Sequence, residues 1–597
     1  MDGTILPTIP PLTLHDSITK EQVDVESICS QWLKNLERCF VSNSFDNLSE
    51  LFIDNCWWRD IVGLSWDFSS KHGYDAIAAF LNNAPNPITE LRLITDGGLK
   101  PLLIDIGGMI WIHSAFTFRH QHGEGKGIVR LVHVTKSKWK AWLISTQLGN
   151  LHDKDILTAA RSVALCNRTS DTRNQTLQVL IVGAGQAGLA LGARLKSMGI
   201  RALILDKNNC IGGAWTNRYQ SVTLNTPKYT DHFPFMKLPE EGPEYLCGEQ
   251  MVKFMELYGQ NMGLEIELGT KVTKAEYDPD NRQYRVEAER EGDGKQIFST
   301  KHLVMATGVF SEEAIIPDIA SPEVFSGLVY HSGQHKSASQ IPDLRNKRVA
   351  VVGCGSTGHD IAADFVSSGA KEVIMFQRNP IFSVSDKAIE TILLPIWNME
   401  GVSTEEADVL GNSLPLKLIR AVSIDLTRLM CAHDKATIEG LKKAGMALRT
   451  GEDGYGLADH QLIYGGRFYI DRGASQMIVN GRIKVRRCEG GISSFHTNGL
   501  ILADGTRIDA DVVVYATGYR GAEVTVERLM GPEIASKVGA VGSLDAENER
   551  IAWWRPTGVP GFWYMTGSFL WCRQFSLPLA LQIAAIERGL NSTHYGE

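Results

Sequence analysis

The sequence predicts an α/β protein with two dinucleotide-binding units, preceded by an α+β N-terminal domain. Three observations carry this. A glycine-rich turn at Gly183–Gly188 sits between an apolar strand and an apolar helix, and a second turn at Gly353–Gly358 has the same flanks. Ahead of both, residues 24–148 pass from helical to strand-like patterning. The chain has 597 residues, too many for one hydrophobic core, so separate domains follow.

At the N-terminus, residues 1–23 are rich in Pro and Thr, lack periodicity and read as a loose arm. Apolar residues then recur at helical spacing over 24–41 (Val25, Ile28, Trp32, Leu36, Cys39, Phe40), followed by Leu48, Leu51 and Phe52. Five strand-like segments come next, at 91–94, 109–112, 115–118, 127–132 and 139–144. Helices before a run of antiparallel strands predict an α+β domain over 24–150. The polar stretch 151–174 reads as a linker.

The first glycine turn carries the full dinucleotide fingerprint. Val179–Val182 leads into Gly183-Ala184-Gly185-Gln186-Ala187-Gly188, an apolar helix follows, and the strand Ala202–Leu205 ends at Asp206, 23 residues after Gly183. Gly183 permits the tight turn, Gly185 admits the pyrophosphate to the backbone, and Gly188 lets helix and strand pack closely. The helix N-terminus suits phosphate, and Asp206 is placed to accept hydrogen bonds from a ribose. Lys207, beside it, joins the expected cofactor contacts. The turn Gly212-Gly213-Ala214-Trp215 comes shortly after. Trp215-Thr216-Asn217 stands where a redox cysteine of the disulfide-reductase type would be expected, so dithiol chemistry is not supported.

The second turn, Gly353-Cys354-Gly355-Ser356-Thr357-Gly358, follows Val349–Val352. Its second strand, Glu372–Phe376, ends at Gln377-Arg378 rather than at an acid. A guanidinium there offers charge-assisted hydrogen bonds to the 2′-phosphate of NADPH. An acid after one turn and a base after the other assign FAD to the first and NADPH to the second. Between them, Tyr284–Glu289 and Ile297–Met305 read as strands.

The bulk numbers narrow the rest. A formal charge of −8 with no basic block of five or more gives no reason to propose nucleic acid as a partner. The ten cysteines are scattered without a CxxC pair, so no metal site is expected. No signal-like start, no uninterrupted apolar run of spanning length and no C-terminal targeting motif is read, so the expectation is a cytoplasmic protein without a transmembrane segment.

Over roughly residues 175–590 the chain resembles the class B flavoprotein (flavin-containing) monooxygenases. The resemblance rests on the first glycine turn, the Gly-Gly-x-Trp at Gly212–Trp215, Ala306-Thr307-Gly308, the FxGxxxHxxx-like stretch Phe325–His335, the second glycine turn and Ala516-Thr517-Gly518. It implies a nested pair of Rossmann-like domains. An FAD domain from 175–335 and 506–597 would hold an inserted NADPH domain at 336–505. Gly213, Trp215, Thr226, Thr307, Gly308, Thr517 and Gly518 join the expected cofactor contacts. It also implies an enzyme in which NADPH reduces the flavin, which captures O2 as a peroxide and oxygenates a small organic substrate. Leu224-Asn225-Thr226-Pro227-Lys228 looks like the family's Asn-Thr-x-Lys stretch, which makes Asn225 the catalytic candidate. On local sequence alone, the plainer reading of Asn225 is a cap on the turn before Pro227, and the resemblance shifts the balance towards function. His331 is expected to anchor the link between domains rather than act as a base.

Departures refine the expected reaction. His335-Lys336-Ser337-Ala338 is closer to the plant auxin-forming branch than to Baeyer–Villiger enzymes, which carry Trp at the first position. Oxygenation at N or S, or oxidative decarboxylation of a 2-oxo acid, therefore ranks above ketone-to-ester oxidation. Residues 24–148 more weakly resemble the cone-shaped nuclear-transport-factor and SnoaL polyketide-cyclase domains, whose helices and curved sheet enclose an apolar pocket. In such a cone Asp60, Asp67 and His113 are conceivable proton-transfer groups, with core-edge residues of a noncatalytic domain as the plainer expectation. The domain could also cover the substrate entrance, support a homodimer or rearrange an oxidised product. From another class, a non-oxygenating flavin NADPH oxidase or redox-sensing binding protein stays open.

Overall fold

The computed structural model describes residues 5–14, 18–135, 138–152 and 177–591, so the greater part of the 151–174 linker lies outside the described residues. Three large sheets organise the chain.

In the N-terminal part, the helix Val25–Ser42 begins where the Asp24 carboxylate accepts the Ser27 N–H and ends at Asn43 in the left-handed region. Cys29, Trp32, Leu33 and Leu36 form its buried stripe. The helix covers a seven-stranded sheet ordered Phe68–His72, Phe52–Ile61, Lys138–Leu151, Gly123–Thr135, Met109–His120, Thr89–Leu93, with Leu102–Ile106 also paired to Met109–His120. The structure departs from the sequence expectation in three ways. Residues 109–112 and 115–118 are one strand, not two. Phe52–Ile61, Phe68–His72 and Leu102–Ile106 are strands the patterning did not announce, and Phe52–Ile61 runs parallel to Lys138–Leu151. From Cys56 onward every residue of Phe52–Ile61 is buried, which erases the alternation that marks a one-sided strand. Finally, the described part of the supposed loose arm is docked: Leu12 is buried beside Trp57 and Trp142, and the Ile110 N–H donates to its carbonyl.

Where the cone resemblance expects an apolar pocket, Trp58, Phe116, Phe118, Val129 and Ile144 are fully buried in one cluster. Gly127 and Gly125 make this packing possible. A Cβ at Gly127 would stand 2.1 Å from the Phe116 ring, and one at Gly125 2.5 Å from Phe118.

The second sheet is ordered Glu265–Glu267, Ala202–Leu205, Leu177–Val182, Gly294–Met305, Gln283–Arg290, Thr270–Asp278. Phe562–Tyr564 returns late in the chain to pair parallel with Gly294–Met305. The third sheet is parallel throughout, ordered Leu328–His331, Val512–Tyr515, Arg348–Val352, Glu372–Gln377, Lys484–Arg487. Its unbroken apolar runs, such as Val512–Tyr515, are what a strand buried on both faces requires. This sheet shifts both boundaries read from the sequence. Leu328–His331 and Val512–Tyr515, placed in the flavin segments by 175–335 and 506–597, belong to the sheet of the second glycine turn. The two crossings between sheets lie side by side as the antiparallel ribbon Phe310–Ala314 with Tyr519–Gly521.

The helix Phe569–Glu587 packs on the helix Gln186–Ser197. It is the one helix among the described residues long and apolar enough to cross a membrane, a feature the sequence reading did not pick out because Arg573 interrupts it. In this fold 78% of its apolar window is buried inside the protein, as in a core helix. Its neighbourhood also receives the N-terminal sheet. Phe68 packs against Phe575, and Arg59 pairs bidentately with Glu549 at 2.9 Å, both side chains almost wholly buried. Arg555 likewise grips Asp67 at 2.7 and 2.9 Å.

Candidate active site

Both glycine turns are built alike. Gly183 and Gly353 have φ of 118° and 117°, in the left-handed region that glycine tolerates, and each lies against the carbonyl of the alanine in an Ala-Thr-Gly segment, Ala306 or Ala516. A Cβ on Gly188 would be 2.0 Å from the Gly183 oxygen, and one on Gly358 2.2 Å from the Gly353 oxygen. These two glycines are demanded by packing. By contrast, a Cβ on Gly185 or Gly355 would meet nothing within 4 Å. Each caps a helix, Gln186–Ser197 or Ser356–Ser367, whose first N–H groups face that open space. Such a cradle fits a pyrophosphate, because only an absent side chain lets phosphate oxygens reach those N–H groups.

The strand ends differ in a way the sequence only partly foretold. The Gly183 N–H donates to the Leu205 carbonyl and the Gly353 N–H to that of Phe376. Gln377 is thus the counterpart of Asp206, and Arg378 that of Lys207. Asp206 accepts hydrogen bonds from the Ala184 N–H and from the backbone and side-chain N–H groups of Asn208, all at 2.7–2.8 Å. It clamps the turn, and of a carboxylate's roughly four acceptor positions about one remains for a ribose hydroxyl. Lys207, whose pKa burial lowers, pairs with Glu312. Gln377 is buried and doubly bonded to the Ala447 backbone at 2.8 Å, leaving Arg378 exposed and without an ion pair among the described residues.

Several expected cofactor side chains are already engaged within the protein. The Gln186 amide donates to the Gly567 carbonyl and accepts from the Trp215 indole, and Trp215 stacks on Phe569. Ser356 donates to the Phe468 carbonyl, Thr517 to that of Ile315, and Thr307 meets the Tyr564 hydroxyl at 3.0 Å. The backbone N–H groups of Gln186, Ser356, Thr307 and Thr517, and those of Thr357, Gly308 and Gly518, are what these residues can offer a nucleotide, whereas that of Trp215 donates to the Gly212 carbonyl at 2.7 Å. Gly213 is crowded by Asn208, 2.5 Å from where its Cβ would stand, so it serves the same Asp206 clamp.

Asn225 is half-buried, and its amide has no hydrogen-bond partner among the described residues. The turn that follows is closed by other groups. Thr226 donates to Asp231 at 2.7 Å, and the Thr230 hydroxyl donates to the Pro227 carbonyl at 2.8 Å. The capping alternative for Asn225 therefore finds no bond to support it.

His331 accepts the Gly333 N–H at Nδ1, and its Nε2 lies 3.1 Å from the Gly518 carbonyl. A neutral ring carrying its proton on Nε2 satisfies both, and burial lowers its pKa accordingly. It ties the strand Leu328–His331 to the start of the return crossing at Gly518. His335 is buried between Tyr330 and Asp364, at 2.9 Å from each.

The three N-terminal candidates carry no proton-transfer geometry. The Asp60 carboxylate accepts from the Gly63, Leu64 and Ser65 N–H groups and from the Ser65 and Thr146 hydroxyls, so it is a turn-forming knot. Asp67 is held by Arg555. Burial and then Arg130 push His113 down to about 3. What sequence reasoning missed are the buried contacts between distant segments, Arg59 with Glu549 and Arg573 with Asp408, which have no local signature.

The pyridine nucleotide-disulphide oxidoreductase family model matches residues 180–411. A probable indole-3-pyruvate monooxygenase, YUCCA7 of Arabidopsis thaliana, is 31% identical over 348 residues, 57% of this chain and 74% of the relative. The indole-3-pyruvate monooxygenase YUCCA1 of Oryza sativa subsp. japonica is 29% identical, covering 59% and 80%. Among solved structures, ε-caprolactone-bound cyclohexanone monooxygenase in its Loose conformation superposes with a TM-score of 0.51 at 19% identity, over 69% of this chain and 88% of that one, a likeness of fold alone. From the two cradles and these relatives together, the chain belongs to the class B flavin-containing monooxygenases, flavin-dependent enzymes whose cofactors are FAD and NADPH.

Proposed function

We propose that this monooxygenase uses O2 to oxygenate a small organic substrate at nitrogen or sulfur, or to decarboxylate a 2-oxo acid oxidatively. The observation that carries the reading is the unpartnered amide of Asn225 in a turn held by neighbouring groups. FAD is assigned to the Gly183–Gly188 cradle with Asp206 at the ribose, and NADPH to the Gly353–Gly358 cradle with Arg378 at the 2′-phosphate. Reduced by NADPH, the bound flavin supplies the activation of O2. Asn225 then offers a hydrogen-bond donor that needs no reorganisation, because no internal acceptor competes for it. His331 and the ribbon Phe310–Ala314 with Tyr519–Gly521 keep the two cradles in register. His335 in place of Trp favours this reaction class over Baeyer–Villiger oxidation. The plant relatives point the same way, since indole-3-pyruvate, for which they are named, is an aromatic 2-oxo acid.

The test is turnover of the flavin-loaded protein with NADPH under labelled O2, against amines, thioethers and aromatic 2-oxo acids. The expected product carries one labelled oxygen atom. NADPH oxidation that yields hydrogen peroxide alone with every substrate class would instead favour a non-oxygenating oxidase. Asn225→Ala is expected to divert NADPH toward hydrogen peroxide by about tenfold or more, the loss of one preorganised donor. Unchanged coupling removes Asn225 from the site.

A further inference from the structure

Six residues after Asn225, Asp231 is fully buried and unused by the chemistry above. Its nearest cation, Arg573, is spent elsewhere. Arg573 pairs bidentately with Asp408 at 2.7 Å, and its third nitrogen donates to the Thr230 and His232 carbonyls on either side of Asp231. Among the described residues, no guanidinium or ammonium bonds the Asp231 carboxyl itself. A carboxylate buried without such a partner is costly, so the neutral acid is favoured there.

The carboxyl is also the hub of the turn. The Thr226 hydroxyl donates to Asp231 Oδ2 at 2.7 Å. The Thr230 hydroxyl has two acceptors in reach, Asp231 Oδ1 at 3.2 Å and the Pro227 carbonyl at 2.8 Å, and that carbonyl also takes the Thr230 N–H at 2.9 Å.

We propose that Asp231 is a positioning residue for Asn225: buried and without a bonded cation, its carboxyl ties Thr226 to Thr230, and its ionisation puts an uncompensated charge into the turn that presents the Asn225 amide and loosens it. This rests on the catalytic reading of Asn225. Burial raises Asp231 to about 7, against the smaller pull of Thr226, Thr230 and Arg573. The carboxyl thus passes from mostly neutral to mostly ionised between pH ~6 and ~8.5. The charged and titratable groups facing the turn are Arg573, Asp408, Lys237 and His232. Of these, His232 is pushed down to about 4 by burial and then by Arg573, so it stays neutral across that window.

The experiment follows hydrogen peroxide released per NADPH oxidised in the flavin-loaded enzyme, with a substrate that couples, from pH ~6 to ~8.5. The wild type is expected to release several-fold more peroxide at the alkaline end. Asp231→Asn keeps an acceptor for Thr226 and cannot ionise, so its profile should be flat and low. Asp231→Ala and Thr226→Val should uncouple at every pH. A wild-type-like alkaline rise in Asp231→Asn, or wild-type coupling in both truncations, overturns the proposal. The two readings fail separately. If Asn225→Ala couples normally, the catalytic reading falls; if it uncouples while Asp231→Ala does not, only the positioning role falls.

Discussion

The two open glycines allow the cofactor assignment to be tested without disturbing the fold. Gly185 has φ −84° and ψ −175°, a conformation alanine adopts freely, and its Cβ would enter empty space. Gly185→Ala should therefore fold as the wild type, with a stability change of at most about 1 kcal/mol at this N-cap. The methyl would nonetheless occupy the approach of the pyrophosphate to the helix N–H groups. Each hydrogen bond to a charged group contributes about 1.5–3 kcal/mol, so losing two weakens FAD by about 3–6 kcal/mol, or about 10²–10⁴-fold. Gly355→Ala should instead retain flavin and raise the KM for NADPH by a comparable factor. Gly188→Ala, whose Cβ would strike the Gly183 oxygen at 2.0 Å, should damage folding and flavin binding together. The assay is flavin retained after gel filtration, a thermal melt of each apoprotein, and NADPH kinetics of whatever retains flavin. A Gly185→Ala protein with full flavin, or a Gly355→Ala protein that sheds flavin while its NADPH KM is unchanged, refutes the assignment.

Two other outcomes follow from named residues. Arg378→Ala should raise the KM for NADPH by about tenfold or more while leaving that for NADH nearly unchanged, the loss of one charge-assisted contact; equal losses with both cofactors would remove it from the 2′-phosphate. Glu549→Gln should destabilise the protein by about 3–5 kcal/mol, because it strips the partner from the buried Arg59 guanidinium. Arg59→Met combined with Glu549→Met should recover much of that loss in denaturant unfolding, whereas additive single effects would show that the two side chains do not act as a pair.

What the sequence determined by itself is local. The turns Gly183–Gly188 and Gly353–Gly358 announce themselves because each glycine answers a constraint within a few residues: a positive φ, a close carbonyl, a helix start. Strand ends at Asp206 and Arg378 were legible for the same reason. The helix Val25–Ser42 was also legible, since one face is buried and the other wet. Where both faces are buried the pattern vanishes, and Phe52–Ile61 went unread. Only the tertiary structure decided that Leu328–His331 and Val512–Tyr515 flank the second cradle's sheet, because strand order is set by partners distant in sequence. It also decided that the N-terminal sheet is fastened to the C-terminal segment at Glu549, Arg555 and Phe575 through Arg59, Asp67 and Phe68, and that Gln377 turns away to Ala447. The state of Asp231 belongs to the same class. Its burial and the commitment of Arg573 to Asp408 arise from segments more than 160 residues apart, and nothing in TPKYTDHF says that Arg573 is committed elsewhere.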